Sequence, residues 1–246
     1  MMRKVIKYQL WDLVKVCLLY MLILAALMLL GMVGNDGFAA EDGTSTVASC
    51  GMTGAVFAMI MGMCMFKEHF WMCLQNGISR RQYYLASAGT MAVLSVLLAA
   101  GELFILRLLT AIGPDGIRID NMGSSLYSGW FAGRGLLADL AVNLVFTTCM
   151  NLAGFAVGYF LAELFYRSGK ICRILIAAGL PVVLFVGLPY WSMQYPRMAQ
   201  ALLEKVTWVM GLNQNIPNPA MGTAVMAATA LVFLLAGYPV IRRAEV

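Results

Sequence analysis

Six long apolar stretches alternate with shorter polar segments along this chain, at residues 16–33, 47–66, 82–106, 138–162, 174–191 and 220–241. A helix rises about 1.5 Å per residue, so roughly 20 apolar residues cross the hydrocarbon core of a bilayer. The pattern predicts an all-α integral membrane protein with six transmembrane helices, forming a single domain over residues 1–246. No segment between the stretches is long enough for a separate soluble domain.

The connecting segments carry patterns of their own. In RKVIKYQLWDLVK, Val5, Ile6, Leu10, Leu13 and Val14 share one helical face, with Tyr8 and Trp11 at interface height. This predicts an N-terminal interfacial helix along the inner leaflet; the alternative is that it simply extends the first span. Residues 67–82, KEHFWMCLQNGISRRQ, predict a short helix between spans two and three. Asn76-Gly77 ends that helix, because glycine takes the left-handed C′ conformation without steric cost. Ser79 and Gln82 then form an S-x-x-Q capping box that starts the third span. Residues 112–135 are rich in glycine and serine and show no chemistry. Between spans five and six, Met198, Leu202, Val206, Val209 and Met210 recur at helical spacing, opposite Gln200, Glu204 and Lys205. This predicts an amphipathic helix on the outer surface, or one dipping back in. NQNIPNP breaks the chain before the last span.

Composition supports the membrane reading. The chain is 61% hydrophobic and 12% charged, against about 25% charged in soluble domains. The net charge of +5 forms no basic patch, which argues against nucleic acid as a partner. Instead the basic residues cluster at span ends. With the N-terminus inside, 12 of the 17 Lys and Arg fall on the inner side. The outer segments hold only Arg107, Arg118, Arg134, Arg197 and Lys205, so both termini are expected in the cytoplasm. Phe38-Ala39-Ala40 loosely resembles a signal-peptidase site, but the apolar run and its charged leader are too long for a signal peptide. The six cysteines have no C-x-x-C spacing and read as small buried hydrophobes. His69 is the only histidine, so neither a histidine-rich metal site nor an intramembrane protease of the H-E-x-x-H or serine–histidine kind is expected. No catalytic residue is assigned.

Polar residues inside the spans are the candidate chemistry. Asp139, Asn143, Thr147 and Asn151 lie at steps of four, on one slowly turning helix face. Such a face is costly against lipid and should point at protein or a wet cavity. It reads as a pathway lining (Asn143, Thr147, Asn151) or as interhelical glue. Glu102 ends an uncharged run near the outer side; it reads as the partner of Arg107 or Arg134, or as an outer gate with Arg107 and Asp139. Pro181 and Pro189 interrupt the fifth span and allow a bend there, with Phe185 a pathway candidate.

This layout, with the string QNGISRRQ, resembles the type-2 ABC exporter permeases, six-span membrane subunits that work with a separate ATPase. The resemblance implies a coupling helix over Lys67–Asn76 seated in an ATPase groove, with Phe70 and Trp71 as apolar anchors. Lys67, Glu68, Leu74 and Asn76 belong to the same contact, and Arg80 and Arg81 would pair with acidic groups or lipid headgroups. Residues 3–15 would match the connecting helix, and 198–210 the re-entrant or cap element. No G-x-x-x-x-G-K-[ST] phosphate loop is present, so ATP and Mg2+ would bind the partner subunit and this chain would hold no cofactor. The resemblance further implies pairing with a second permease copy and a bacterial plasma membrane. The cargo class it suggests is a hydrophobic or amphipathic peptide, toxin or antimicrobial. The competing expectation is an ion-coupled secondary carrier or another membrane transport or immunity protein.

Overall fold

The computed structural model describes residues 2–34, 45–47, 51–112, 117–119, 121–131, 135–169, 179, 182–213 and 216–242. Of the predicted fifth span, residues 174–178, 180 and Pro181 lie outside them. So do the side chains of Lys67, Glu68 and Phe185.

Among the described residues, long helices dominate: α1 (Met2–Gly34), α2 (Gly51–Gln75), α3 (Arg80–Ile112), α6 (Leu136–Arg167) and α9 (Pro219–Arg242). Short helices α4 (Met122–Leu126) and α5 (Ser128–Phe131) precede α6. A π-helical turn (Val183–Gly187) leads into α7 (Leu188–Gln194) and α8 (Pro196–Val209). Among the described residues, four helices are long and apolar enough to cross a membrane, over Val5–Leu30, Arg80–Ile112, Leu136–Arg167 and Pro219–Ile241.

α6 forms the centre of the bundle, packed against α2, α9 and α3, while α1 lies on the outside against α3. Small residues make the α2–α6 approach possible. A Cβ on Gly154 would lie 2.5 Å from the Ala55 carbonyl oxygen, and one on Gly158 would lie 1.9 Å from that of Met59. In lipid, where helices gain little from hydrophobic association, such backbone proximity supplies van der Waals contact.

Two predicted breaks within helices are absent. α1 runs unbroken through residues 15 and 16, so the N-terminal segment extends the first span rather than forming a separate interfacial helix. α2 likewise continues past Phe66 to Gln75, so no separate coupling helix stands between spans two and three. The physical reason is that Lys67–Gln75 contains neither glycine nor proline. The predicted turn after it is present. Gly77 has φ +72°. Its N–H donates to Leu74 O at 3.0 Å and that of Ile78 to Cys73 O at 3.1 Å, the paired bonds of a Schellman cap. Ser79 Oγ accepts the Gln82 N–H at 3.3 Å, completing one half of the capping box.

The predicted loop 112–135 contains a strand. β1 (Ser45–Val47) pairs in parallel with β2 (Ile117–Ile119), which ties the α1–α2 and α3–α6 connections together. The predicted bend at Pro189 takes a specific form. Proline has no N–H to offer the carbonyl four residues back, and the preceding turn widens to π, with Leu188 N–H bonded to Val183 O. The amphipathic helix expected at 198–210 is α8, whose Met198, Leu202, Leu203, Val206 and Trp208 are exposed. Its C-terminal carbonyl, Met210 O, accepts a 2.9 Å bond from the buried Tyr127 hydroxyl.

Candidate functional site

The α2–α3 hairpin places the expected coupling residues on different sides. Phe66, Phe70 and Cys73 recur at i, i+4 and i+7, so a continuous helix keeps all three on its packed face. Phe70 is fully buried, 5.1 Å from the Phe66 ring and edge-on to Tyr83 and Tyr166. It is part of the core and is not available as an anchor. Burial also pushes the Cys73 thiol up, which suits a structural cysteine. Trp71 is 41% exposed; Asn76 and Arg81 are exposed and Leu74 and Arg80 half-buried. Asn76 turns its amide back on Met72 O at 2.7 Å. His69 sits against α1, with Nδ1 3.0 Å from Met65 O and Nε2 3.7 Å from Asp12.

On the polar face of α6, Asn143, Thr147 and Asn151 are buried and Asp139 is half-buried. Asn143 Nδ2 donates to Asp139 Oδ1 at 2.7 Å. Thr147 Oγ1 accepts from Asn121 Nδ2 at 3.0 Å. The Thr147 bond joins α6 to the N-cap of α4, whereas the Asn143 bond stays within α6. Asn151 differs: it is 0% exposed, and its amide faces the Glu102 carboxyl of α3.

Arg107 pairs with Asp139 at 2.5 Å, joining α3 to α6. It does not pair with Glu102. The helix explains why: Glu102 and Arg107 are five residues apart, about 140° around α3, so they leave it in different directions. Glu102 is instead 2% exposed and points at α2, where a Cβ on Gly54 would lie 1.8 Å from its Oε1. Tyr20 OH lies 3.4 Å from that oxygen and 3.4 Å from Thr53 Oγ1. The Asn151 amide approaches the same carboxyl. Glu102 Oε2 has no partner among the described residues.

A second buried acid escaped the sequence reading. Glu163 on α6 is 1% exposed, and neither of its oxygens has a partner among the described residues. It fits against Gly237 of α9, beside Tyr84. Its signal was a lone acid among apolar neighbours. Gly154 and Gly158 were visible as G-x-x-x-G, the motif of close helix approach. Tyr20, Thr53 and Gly54 carried no such signal, because what matters is the neighbour each meets on another helix.

Comparison with protein-family models, with curated proteins and with solved structures returns no match to this chain.

Proposed function

We propose that this chain is the transmembrane subunit of an ATP-binding cassette exporter. In this reading it has six spans with both termini in the cytoplasm of a bacterial cell. It pairs with a second permease copy and is driven by a separate ATPase that holds ATP and Mg2+. Its cargo is hydrophobic or amphipathic.

The observation that supports it best is the α2–α3 hairpin. A core of stacked aromatics and a Schellman turn hold its tip rigid, and that tip carries Trp71, Asn76 and Arg81 outward on the basic-rich side. A rigid, basic, aromatic-bearing tip suits force transfer from a docked protein. With α2 continuous, the contact would be made by the hairpin end rather than by a transverse helix.

The test is to purify the full chain in mild detergent and assay Mg2+-dependent ATP hydrolysis. Hydrolysis should co-purify with the native sequence and fall severalfold with Trp71→Ala or Arg81→Glu, at unchanged thermal stability. Phe70→Ala should instead lower stability, by about 3–5 kcal/mol for loss of a buried aromatic. Absence of co-purifying hydrolysis would sink the ATPase reading.

One observation favours the ion-coupled alternative. Glu102 is buried among helices with no basic partner among the described residues, and an intramembrane acid is a functional-site candidate by default. Transport driven by an ion gradient without ATP would select that reading.

A further inference from the structure

We infer that the outward face of α1 docks on the same face of a second copy of this chain, with the two helices parallel and Lys7 of each paired with Asp12 of the other. This rests on the proposed function only for the second copy, and it needs no ATPase.

The first observation is depth. Gln9 bonds Ser87 at 3.2 Å and Thr90 at 3.0 Å, and further along Tyr20 bonds Glu102 at 3.4 Å. α1 and α3 therefore run parallel, and this register sets Asp12 and Lys15 level with the middle of α3. The stretch of α3 from Arg81 to Arg107 is about 39 Å long at about 1.5 Å per residue. The hydrocarbon core is about 30 Å thick and fits between them. α6 gives the same layer, since Asp139 pairs with Arg107 and Glu163 lies beside Tyr84. Asp12 and Lys15 thus stand at hydrocarbon depth, and both are exposed on the single chain. Charges at that depth are costly against lipid and should face protein or water.

The second is periodicity. Val5, Gln9, Leu13, Cys17 and Leu24 are buried and hold one side of α1 to the bundle. On the other side Tyr8, Trp11, Lys15, Leu18 and Leu22 are exposed at steps of three and four, Trp11 to 72%. That spacing is the a/d seam of a helix pair, a packing that membrane helices share with soluble coiled coils.

The third is charge complementarity. With Tyr8 and Lys15 at a and Trp11 at d, Lys7 falls at g and Asp12 at e. In a parallel pair the g residue of one helix meets the following e residue of the other, so Lys7 meets Asp12 on both sides of the seam. Two copies inserted the same way are related by a two-fold axis along the bilayer normal, which makes their α1 helices parallel. Lys7 and Lys15 have no ion-pair partner among the described residues. Lys15, the one charge on the seam itself, lies over the Trp11 ring at 5.4 Å. An anionic lipid would suit the two lysines but would set a like charge against Asp12.

The experiment is disulfide crosslinking of the full chain in native membranes, in a cysteine-free background. Leu18→Cys and Leu22→Cys should give oxidant-induced dimers severalfold faster than Ile23→Cys, which is exposed but off the seam. With Leu18→Cys as reporter, Asp12→Lys should slow crosslinking severalfold, and adding Lys7→Asp should restore it. If Asp12→Lys alone fails to fold, Lys7→Asp alone supplies the same loss. Equal rates at the three cysteine positions overturn the proposal, and so does charge reversal without effect. A chain that is dimeric by mass but does not crosslink along the seam, as a cover of lipid or of the fifth span would give, overturns this interface and leaves the second copy of the proposed function standing. A monomeric chain overturns both. Crosslinking along the seam without co-purifying ATP hydrolysis supports the interface and counts only against the ATPase.

Discussion

Gly158 shows how one missing methyl group sets a helix–helix distance. Its neighbour is the backbone oxygen of Met59, 1.9 Å from where a Cβ would sit, and backbone cannot rotate aside as a side chain can. Gly158→Ala should therefore push α2 off α6 and destabilise the chain by about 1–3 kcal/mol, the range for overpacking. Gly169→Ala is the matched control, since a Cβ there meets nothing within 4 Å. Denaturant unfolding in detergent would measure the difference, and equal stability of the two variants would refute this account of the interface. At this scale the sequence was legible where a period was present. Asp139, Asn143, Thr147 and Asn151 repeat every four residues, so their common face could be read directly. Glu102 was misread, because its sequence neighbour Arg107 suggested a pair. The actual surroundings of Glu102 come from α1, α2 and α6, at positions far away in the chain.

Elements were legible in their ends more than in their continuity. The stop at Gly77 and the restart at Ser79 were both encoded by local chemistry that needs no tertiary context. Continuity failed because charge was taken as a break. Lys67 and Glu68 mark where an apolar stretch ends, yet leaving an apolar stretch does not end a helix; only lost hydrogen bonds or a left-handed residue do so. α1 repeats the lesson, since Lys15 interrupts hydropathy but not the helix. The hairpin gives a prediction of its own. A Cβ on Gly77 would meet no atom within 4 Å, so the cost of Gly77→Ala is backbone strain at φ +72° alone. That cost should be about 1–2 kcal/mol for a non-glycine residue in the left-handed region. Gly77→Asn should recover part of it, because asparagine tolerates that region better. Melting midpoints in the order native, Asn, Ala would bear this out; Ala equal to native would mean that the Schellman turn contributes nothing.

For the whole molecule, the main question is how the chain returns to the Tyr127 end of α6 before its last helix. α6 carries the chain from the side holding Tyr127 to the side holding Arg167. The Tyr127 hydroxyl nevertheless bonds Met210 O, and a Cβ on Gly222 would meet the same hydroxyl. Both ends of the segment between α8 and α9 therefore lie beside Tyr127, so the chain travels back along the length of α6 between residues 168 and 210. Hydropathy puts that return at 174–191, of which 174–178, 180 and 181 lie outside the described residues. Labelling can decide it. In a cysteine-free background, Gln75→Cys, Ser128→Cys and Gln200→Cys each introduce a thiol at an exposed position. A membrane-impermeant maleimide applied to intact cells should label Ser128→Cys and Gln200→Cys, and should reach Gln75→Cys only after permeabilisation. If Gln200→Cys behaves like Gln75→Cys, no fifth crossing exists and α8 lies on the cytoplasmic side. The positive-inside count makes the same demand: Arg197 and Lys205 belong to the outer minority only if the chain has crossed back before α8.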